Sequence, residues 1–300
     1  MSSPIIHFDY EFSPYGQKTK LLLTAAGVQY SRCDQPAVLP RKDLEALGIT
    51  YRRIPVLSVG KDVYCDSSLI FDVVVNQLAK DKVPTSPADK AWECYGYETF
   101  MAVLTLIPID VLTPDFVKDR ETIFPILARP DYKDLKPSGI AELQSRLSFL
   151  ENEVLTNGMY IGGDKLSVAD MHVIWGIRWV MNDLGAKNEK GLGKDAFPKV
   201  WKLIESLPEA KPETLSSEDA IKTIKGADVS AKDVGVQEGD PLGISSGTPV
   251  TIESMDSKPG SHPQAGKLVG ATKKEVVLEV DDGIRLHFPR EGYVVKEASI

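Results

Sequence analysis

A hydroxyl, a proline and an acid–hydroxyl pair stand at three junctions between apolar runs and helical patterns. They are Phe12-Ser13-Pro14-Tyr15-Gly16, Arg53-Ile54-Pro55-Val56 and Asp66-Ser67. Ser13 follows a strand-like run and precedes Pro14 at the start of a helical pattern. Serine is a favoured N-cap and proline a favoured first helical residue, so capping alone accounts for the pair. A helix N-terminus also presents unpaired N–H groups and a positive dipole end, which suit an anion. A hydroxyl placed there can donate to a bound thiolate. A free thiol has a pKa of roughly 8.5, and each unit of lowering requires about 1.4 kcal/mol. One hydrogen bond to a charged partner contributes roughly 1.5–3 kcal/mol. Ser13 with the helix end is therefore expected to lower a bound thiol's pKa by about one or two units. At the third junction Asp66 can cap a helix or pair with an α-amino group, with Ser67 holding the adjacent carboxylate.

The elements that must position these residues follow from periodicity and punctuation. Residues 5–9 are a short apolar run, read as a strand, and a helical pattern over 15–26 stops at Gly27. Residues 28–33 read as a strand and 41–47 as a short helix. Residues 55–59 and 62–65 flank Gly60-Lys61 as a hairpin. Helical spacing returns over 67–78, with Leu69, Ile70, Val73, Val74 and Leu78 on one side. Residues 1–81 thus form one α/β domain. Residues 82–87, with two prolines, read as a linker, and 88–210 as an all-helical domain. There Met171, Ile174, Trp175, Ile177 and Trp179 make a helix apolar over most of its girth, suited to the middle of a bundle.

After Pro208 the character changes. One helix is expected over 216–225, and five short strands over 250–255, 267–269, 276–280, 284–288 and 293–295. Asp282-Gly283 is a strong hairpin signal. The spacing suggests a third domain over 215–300, a small antiparallel barrel or sandwich.

Composition narrows the function. A net charge of -8 argues against non-specific nucleic-acid binding. The three cysteines, Cys33, Cys65 and Cys94, form no CxxC pair, which is poor material for a disulfide framework or a thiolate metal site. Met1-Ser2-Ser3-Pro4 shows no secretory pattern, and no apolar run approaches the ~20 residues of a membrane helix. The expectation is a soluble cytoplasmic protein without a metal, and with neither nucleic acid nor membrane as partner.

The three junctions, in this order and spacing, resemble the cytosolic glutathione transferase family over roughly residues 4–210. Gly163-Asp164-Lys165-Leu166-Ser167-Val168-Ala169-Asp170 supports the likeness, with Ser167 and Asp170 as the capping box of the central buried helix. The resemblance implies a thioredoxin-like domain followed by a transferase-type helical domain, with glutathione as co-substrate and a homodimer. Ser13 then matches the catalytic serine or cysteine. Ile54 matches the residue whose backbone binds the glutathione cysteine, ahead of a cis proline at Pro55. Asp66 and Ser67 match the acidic-Ser pair that holds the γ-glutamyl end. Arg53 is the best-placed partner for the glycyl carboxylate, with Arg41, Lys42 and Arg52 behind it.

With Ser13 where a redox relative carries cysteine, dithiol exchange from this turn is not possible, and Cys65 reads as a buried hydrophobe. A pocket for hydrophobic electrophiles is expected between the domains, from Tyr97, Phe100, Met101, Leu104 and Thr105 on one side and Tyr10 and Phe12 on the other. The segment 215–300 is similar to an extension found in fungal glutathione-transferase-like proteins. It carries no catalytic constellation: His262 and His287 lack metal-ligand company. The resemblance implies a detoxifying serine-type transferase. Two alternatives are a non-catalytic binding or scaffold protein, and a glutathione-assisted isomerase or lyase of secondary metabolism.

Overall fold

The computed structural model describes residues 3–298, so the start Met1-Ser2-Ser3-Pro4 lies partly outside the described residues. In chain order the first elements are β1 (Ile5–Asp9), α1 (Pro14–Ala25), β2 (Ser31–Asp34), α2 (Lys42–Glu45), β3 (Val56–Val59), β4 (Asp62–Cys65) and α3 (Ser67–Val73). Helices α4 (Asp89–Val103), α5 (Pro114–Arg120), α6 (Lys136–Phe149), α7 (Val168–Arg178) and α8 (Pro198–Ser206) follow. The chain continues with β5 (Glu213–Leu215), α9 (Ser217–Gly226), β6 (Pro249–Ser254), β7 (Gln264–Ala271), β8 (Glu275–Glu279), β9 (Arg285–Pro289) and β10 (Tyr293–Glu297). A thioredoxin-like α/β domain, a helical domain and a strand-rich C-terminal region are all present.

The chain divides into two compact units. One comprises Met1–Gly16, Gln29–Val73 and Lys211–Ile300; the other comprises Gln17–Val28 and Val74–Ala210. The first unit carries a single sheet in the order β10-β6-β7-β8-β9-β4-β3-β1-β2-β5. The C-terminal strands therefore do not form the small barrel or sandwich expected of them. β9 pairs in parallel with β4, Val63 opposite Leu286 and Tyr64 opposite His287, so β6–β10 continue the N-terminal sheet. Otherwise β4 would be an open edge, a row of unpaired backbone groups. The inward residues of β1, β3 and β4 share one apolar cluster with the C-terminal strands: Ile6, Phe8, Val56, Val63 and Cys65 pack with Val250, Leu268, Leu278, Leu286 and Phe288. Asp282-Gly283 does turn β8 into β9, and both residues take the positive φ such a tight turn requires, 60° and 68°.

The second unit is built around α7, in which Val168 to Ile177 are all buried. Its start is the expected capping box: Ser167 Oγ accepts from the Asp170 N–H, and the Asp170 carboxylate accepts from the Ser167 N–H at 2.9 Å. Burial raises the Asp170 pKa despite the bonds from Ser167 and Ile161. Helix α4 crosses α7 closely at Gly96, where a Cβ would stand 1.8 Å from the His172 carbonyl oxygen. Only glycine permits that crossing.

Candidate functional site

Strand register brings the three junctions together. Phe8 on β1 lies opposite Val56 on β3, and Val56 lies opposite Cys65 on β4. The residues after β1, before β3 and after β4 therefore emerge at one end of three neighbouring strands. These are Ser13, Ile54-Pro55 and Asp66-Ser67.

Ser13 is buried, and its Oγ accepts from the Gly16 N–H at 3.0 Å, as an N-cap does. A hydroxyl has a proton to donate besides the lone pairs used in capping, so capping and donation to a ligand are compatible. The Ile54-Pro55 bond is cis. Ile54 packs partly buried against the shared core. Asp66 has φ 82°, a left-handed conformation that is uncommon outside glycine. Backbone held in this way clusters at ligand sites. Its Oδ1 accepts from the Ser68 N–H at 2.8 Å at the start of α3, and Ser67 is buried beside it.

The C-terminal strands reach the same residues. Tyr293 donates to Asp66 Oδ2 at 2.9 Å, and the Tyr51 and Tyr293 hydroxyls are 2.8 Å apart. Burial, and then the Asp66 charge, hold both phenols well above their ordinary pKa, so both remain protonated. Arg53 is paired through Nη1 and Nη2 with the two oxygens of Asp256, at 3.2 and 2.5 Å. These partners lie more than two hundred positions from the motifs they meet, and nothing local in the sequence marks them. The second-rank basic residues differ in their surroundings. Arg41 is buried and donates to the carbonyls of Pro36, Ala37 and Arg52, so it braces the loop before the site. Arg52 is buried as well, and Lys42 is the first residue of α2.

The expected apolar lining divides. Phe100 is 1% exposed and stacked on Trp175 at 4.7 Å, which makes it core of the helical unit rather than lining. Thr105 Oγ1 donates back to the Ala102 carbonyl at 2.7 Å, and Leu104 is buried. Phe12 and Tyr97 are exposed, and Tyr10 and Met101 are half-buried. Cys65 is fully buried, and burial, then Asp66, raise its thiol pKa well above the ordinary value, so it is inert as a nucleophile.

The other end of β4 holds an arrangement that sequence reading missed. His287, expected only as a packed strand residue, bonds through Nε2 to Asp62 at 2.9 Å and through Nδ1 to Glu275 at 2.8 Å. Asp62 also accepts from the N–H groups of Ser230 and Ala231, at 2.6 and 2.7 Å. Burial pushes the Asp62 carboxyl up, but the bonds from His287 and Ala231 outweigh it and hold the pKa below the ordinary range. Burial pushes His287 down, yet its two carboxylate partners raise its pKa overall. The alternation His287 shares with Leu286 and Phe288 shows it to be on a strand, but the pairing depends on β4–β9 register. Among the described residues no group of His, Cys, Asp and Glu could hold a metal, and no helix is long and apolar enough to cross a membrane.

Comparison with known proteins agrees with this architecture. Residues 8–81 match the family described as "Glutathione S-transferase, N-terminal domain", and 102–215 match "Domain of unknown function (DUF7962)". A search of curated proteins found no match. A GST-like protein from Pseudomonas syringae is 23% identical, with 99% of this chain and 100% of that one covered at a TM-score of 0.70. The likeness therefore extends through the C-terminal strands, in a bacterial protein. A glutathione S-transferase from Rhodospirillum rubrum aligns over 68% of this chain and 89% of its own at 14% identity and a TM-score of 0.52. A glutathione transferase family member from Pseudomonas fluorescens, solved with two glutathione bound, covers 68% and 87% at 16% identity and a TM-score of 0.50. The chain carries the glutathione-transferase fold, with a strand-rich C-terminal region joined to its first sheet.

Proposed function

We propose that the protein binds glutathione at the shared end of β1, β3 and β4 and activates its thiol for attack on hydrophobic electrophiles. The observation that carries this is the register: it brings a hydroxyl at a helix start, the residue ahead of cis Pro55 and a left-handed Asp66 to one end of three neighbouring strands. Ser13 donates to the thiolate while its lone pair caps α1. Ile54 offers its backbone to the cysteinyl residue in strand fashion. Asp66 takes the α-amino group, and Ser67 with the start of α3 takes the neighbouring carboxylate. The thiol proton leaves to solvent, the thiolate sulfur bonds to the electrophilic carbon as that carbon's bond to its leaving group breaks and the group departs with the electron pair, and positioning with desolvation supplies most of the rest. Phe12, exposed, and Tyr10, half-buried, follow β1 and offer apolar surface to the electrophile.

Titration calorimetry with glutathione and S-hexylglutathione tests the binding. Micromolar to millimolar affinity for both is expected, with proton release for the thiol alone. Ser13→Ala is expected to slow conjugation about tenfold, the loss of one charge-assisted hydrogen bond. A fall of less than threefold overturns the thiolate-donor role.

A second reading, a binding or scaffold protein, is favoured by one observation. Arg53 and Asp66 both have partners from the protein's own C-terminal region. Absence of binding by either ligand would select it.

A further inference from the structure

The C-terminal region is fastened along the segment that leads into Pro55. Gln264 is buried, and its Oε1 accepts from the N–H groups of Thr50 and Tyr51 at 2.6 and 3.0 Å. Its Nε2 donates to the Gly48 carbonyl at 3.0 Å. This buried amide fixes the turn between β6 and β7 beside Arg53. Asp256 sits in that turn, accepting from both terminal nitrogens of Arg53 and from Ser254 Oγ, and Ser257 Oγ accepts a third Arg53 bond at 3.0 Å. A two-pronged guanidinium–carboxylate pair is also how arginine holds a ligand carboxylate. Here the carboxylate is internal. Arg53 is 22% exposed and Asp256 48%, so the pair lies at the solvent edge where a ligand could contest it.

We propose that Asp256 is a specificity-determining residue: an internal carboxylate on Arg53 that turns the site away from a free glycyl carboxylate. The favoured ligand class is a γ-glutamyl thiol whose opposite end is uncharged, as an ester or amide. This rests on the glutathione reading of the site. A free carboxylate must displace Asp256 from Arg53 and then remain close to a second anion. An uncharged end faces neither cost. Because the pair is partly exposed, its strength is modest, and the discrimination it confers is several-fold rather than absolute.

The test is titration calorimetry of wild type, Asp256→Asn and Asp256→Ala against glutathione and its glycine monoethyl ester. Wild type is expected to bind the ester at least as tightly as the free acid. Both variants are expected to gain about threefold to fivefold in affinity for the free acid, the worth of one partly exposed ion pair. Their affinity for the ester should stay unchanged. A purely structural role for Asp256 would move both ligands together. Equal shifts, no shift, or tighter wild-type binding of the free acid would overturn the assignment and leave the glutathione reading standing. No binding of either ligand by any of the three proteins would overturn both.

Discussion

β4 has an aspartate at each end, and the C-terminal region grips both, in different ways. Asp62 begins the strand, is wholly buried, and is met by His287 and the N–H groups of Ser230 and Ala231. Asp66 follows the strand's last residue, is half-buried with left-handed φ, and accepts one N–H from Ser68 and one O–H from Tyr293. A buried carboxylate must be satisfied completely, since each unmet hydrogen bond costs free energy in a dry site. Asp62 meets that demand and reads as a fastening. Asp66 has solvent on one side, an uncommon backbone and acceptor capacity beyond its two bonds. Those properties suit the ligand role proposed for it.

The largest effect that separates the two is on stability. Asp62→Ala leaves buried His287 without one of its two carboxylate partners and takes the acceptor from the Ser230 and Ala231 N–H groups. It is expected to cost about 3 kcal/mol or more in urea unfolding, the usual result of breaking a buried pair from one side. Asp66→Ala should cost only about 1 kcal/mol, as loss of a helix cap does, while abolishing most glutathione affinity. Equal stability losses with glutathione affinity intact would make Asp66 a second fastening and remove the γ-glutamyl assignment.

How far this was visible beforehand differs between the two ends. The elements of the first eighty positions follow from local signals: Gly27 after the first helix, Gly60-Lys61 between β3 and β4, and apolar spacing in α3. Ser13, Pro55 and Asp66 were legible because capping chemistry and apolar runs mark strand ends, and because their order resembles a known family. Tyr293, Asp256 and His287 were not legible as partners. Their meeting depends on β9 docking beside β4, a pairing between strands more than two hundred positions apart with no local trace. The five C-terminal strands were readable as strands, but an edge of β4 waiting for β9 was not. Glu213–Leu215 escaped notice for a simpler reason: three mostly exposed residues after Pro212 show no alternation. Phe100, 1% exposed, shows that helical spacing does not separate lining from core.

A smaller effect sharpens the Asp62 end through pH. His287 has its pKa raised in the folded protein, so its contribution is complete below its unfolded value of about 6.5 and fades as pH rises through the folded value. Asp62 has its pKa lowered, so its contribution is complete above about 3.9 and fades as pH falls through the folded value. The stability gap between wild type and His287→Gln should therefore be widest between roughly pH 4 and 6.5. It should narrow on either side. A gap that is flat from acid to alkaline pH would mean that His287 acts by packing against Tyr64, 4.7 Å away, rather than by charge.

The smallest expected effect tests the Asp66 end from the other partner. Tyr293→Phe removes the hydroxyl that donates to Asp66 and meets the Tyr51 hydroxyl, and leaves the ring, which packs against Phe288 at 5.4 Å and belongs to the shared apolar cluster. Solvent can reach Asp66 and replace the lost donor, so the change should cost about 1 kcal/mol, one ordinary hydrogen bond. That is about a third of the cost expected for Asp62→Ala. A loss as large as that of Asp62→Ala would show that the Tyr51–Tyr293–Asp66 chain is a sealed network. A sealed network leaves no opening for an α-amino group, and Asp66 would then belong with Asp62 as part of the joint between β4 and the C-terminal strands.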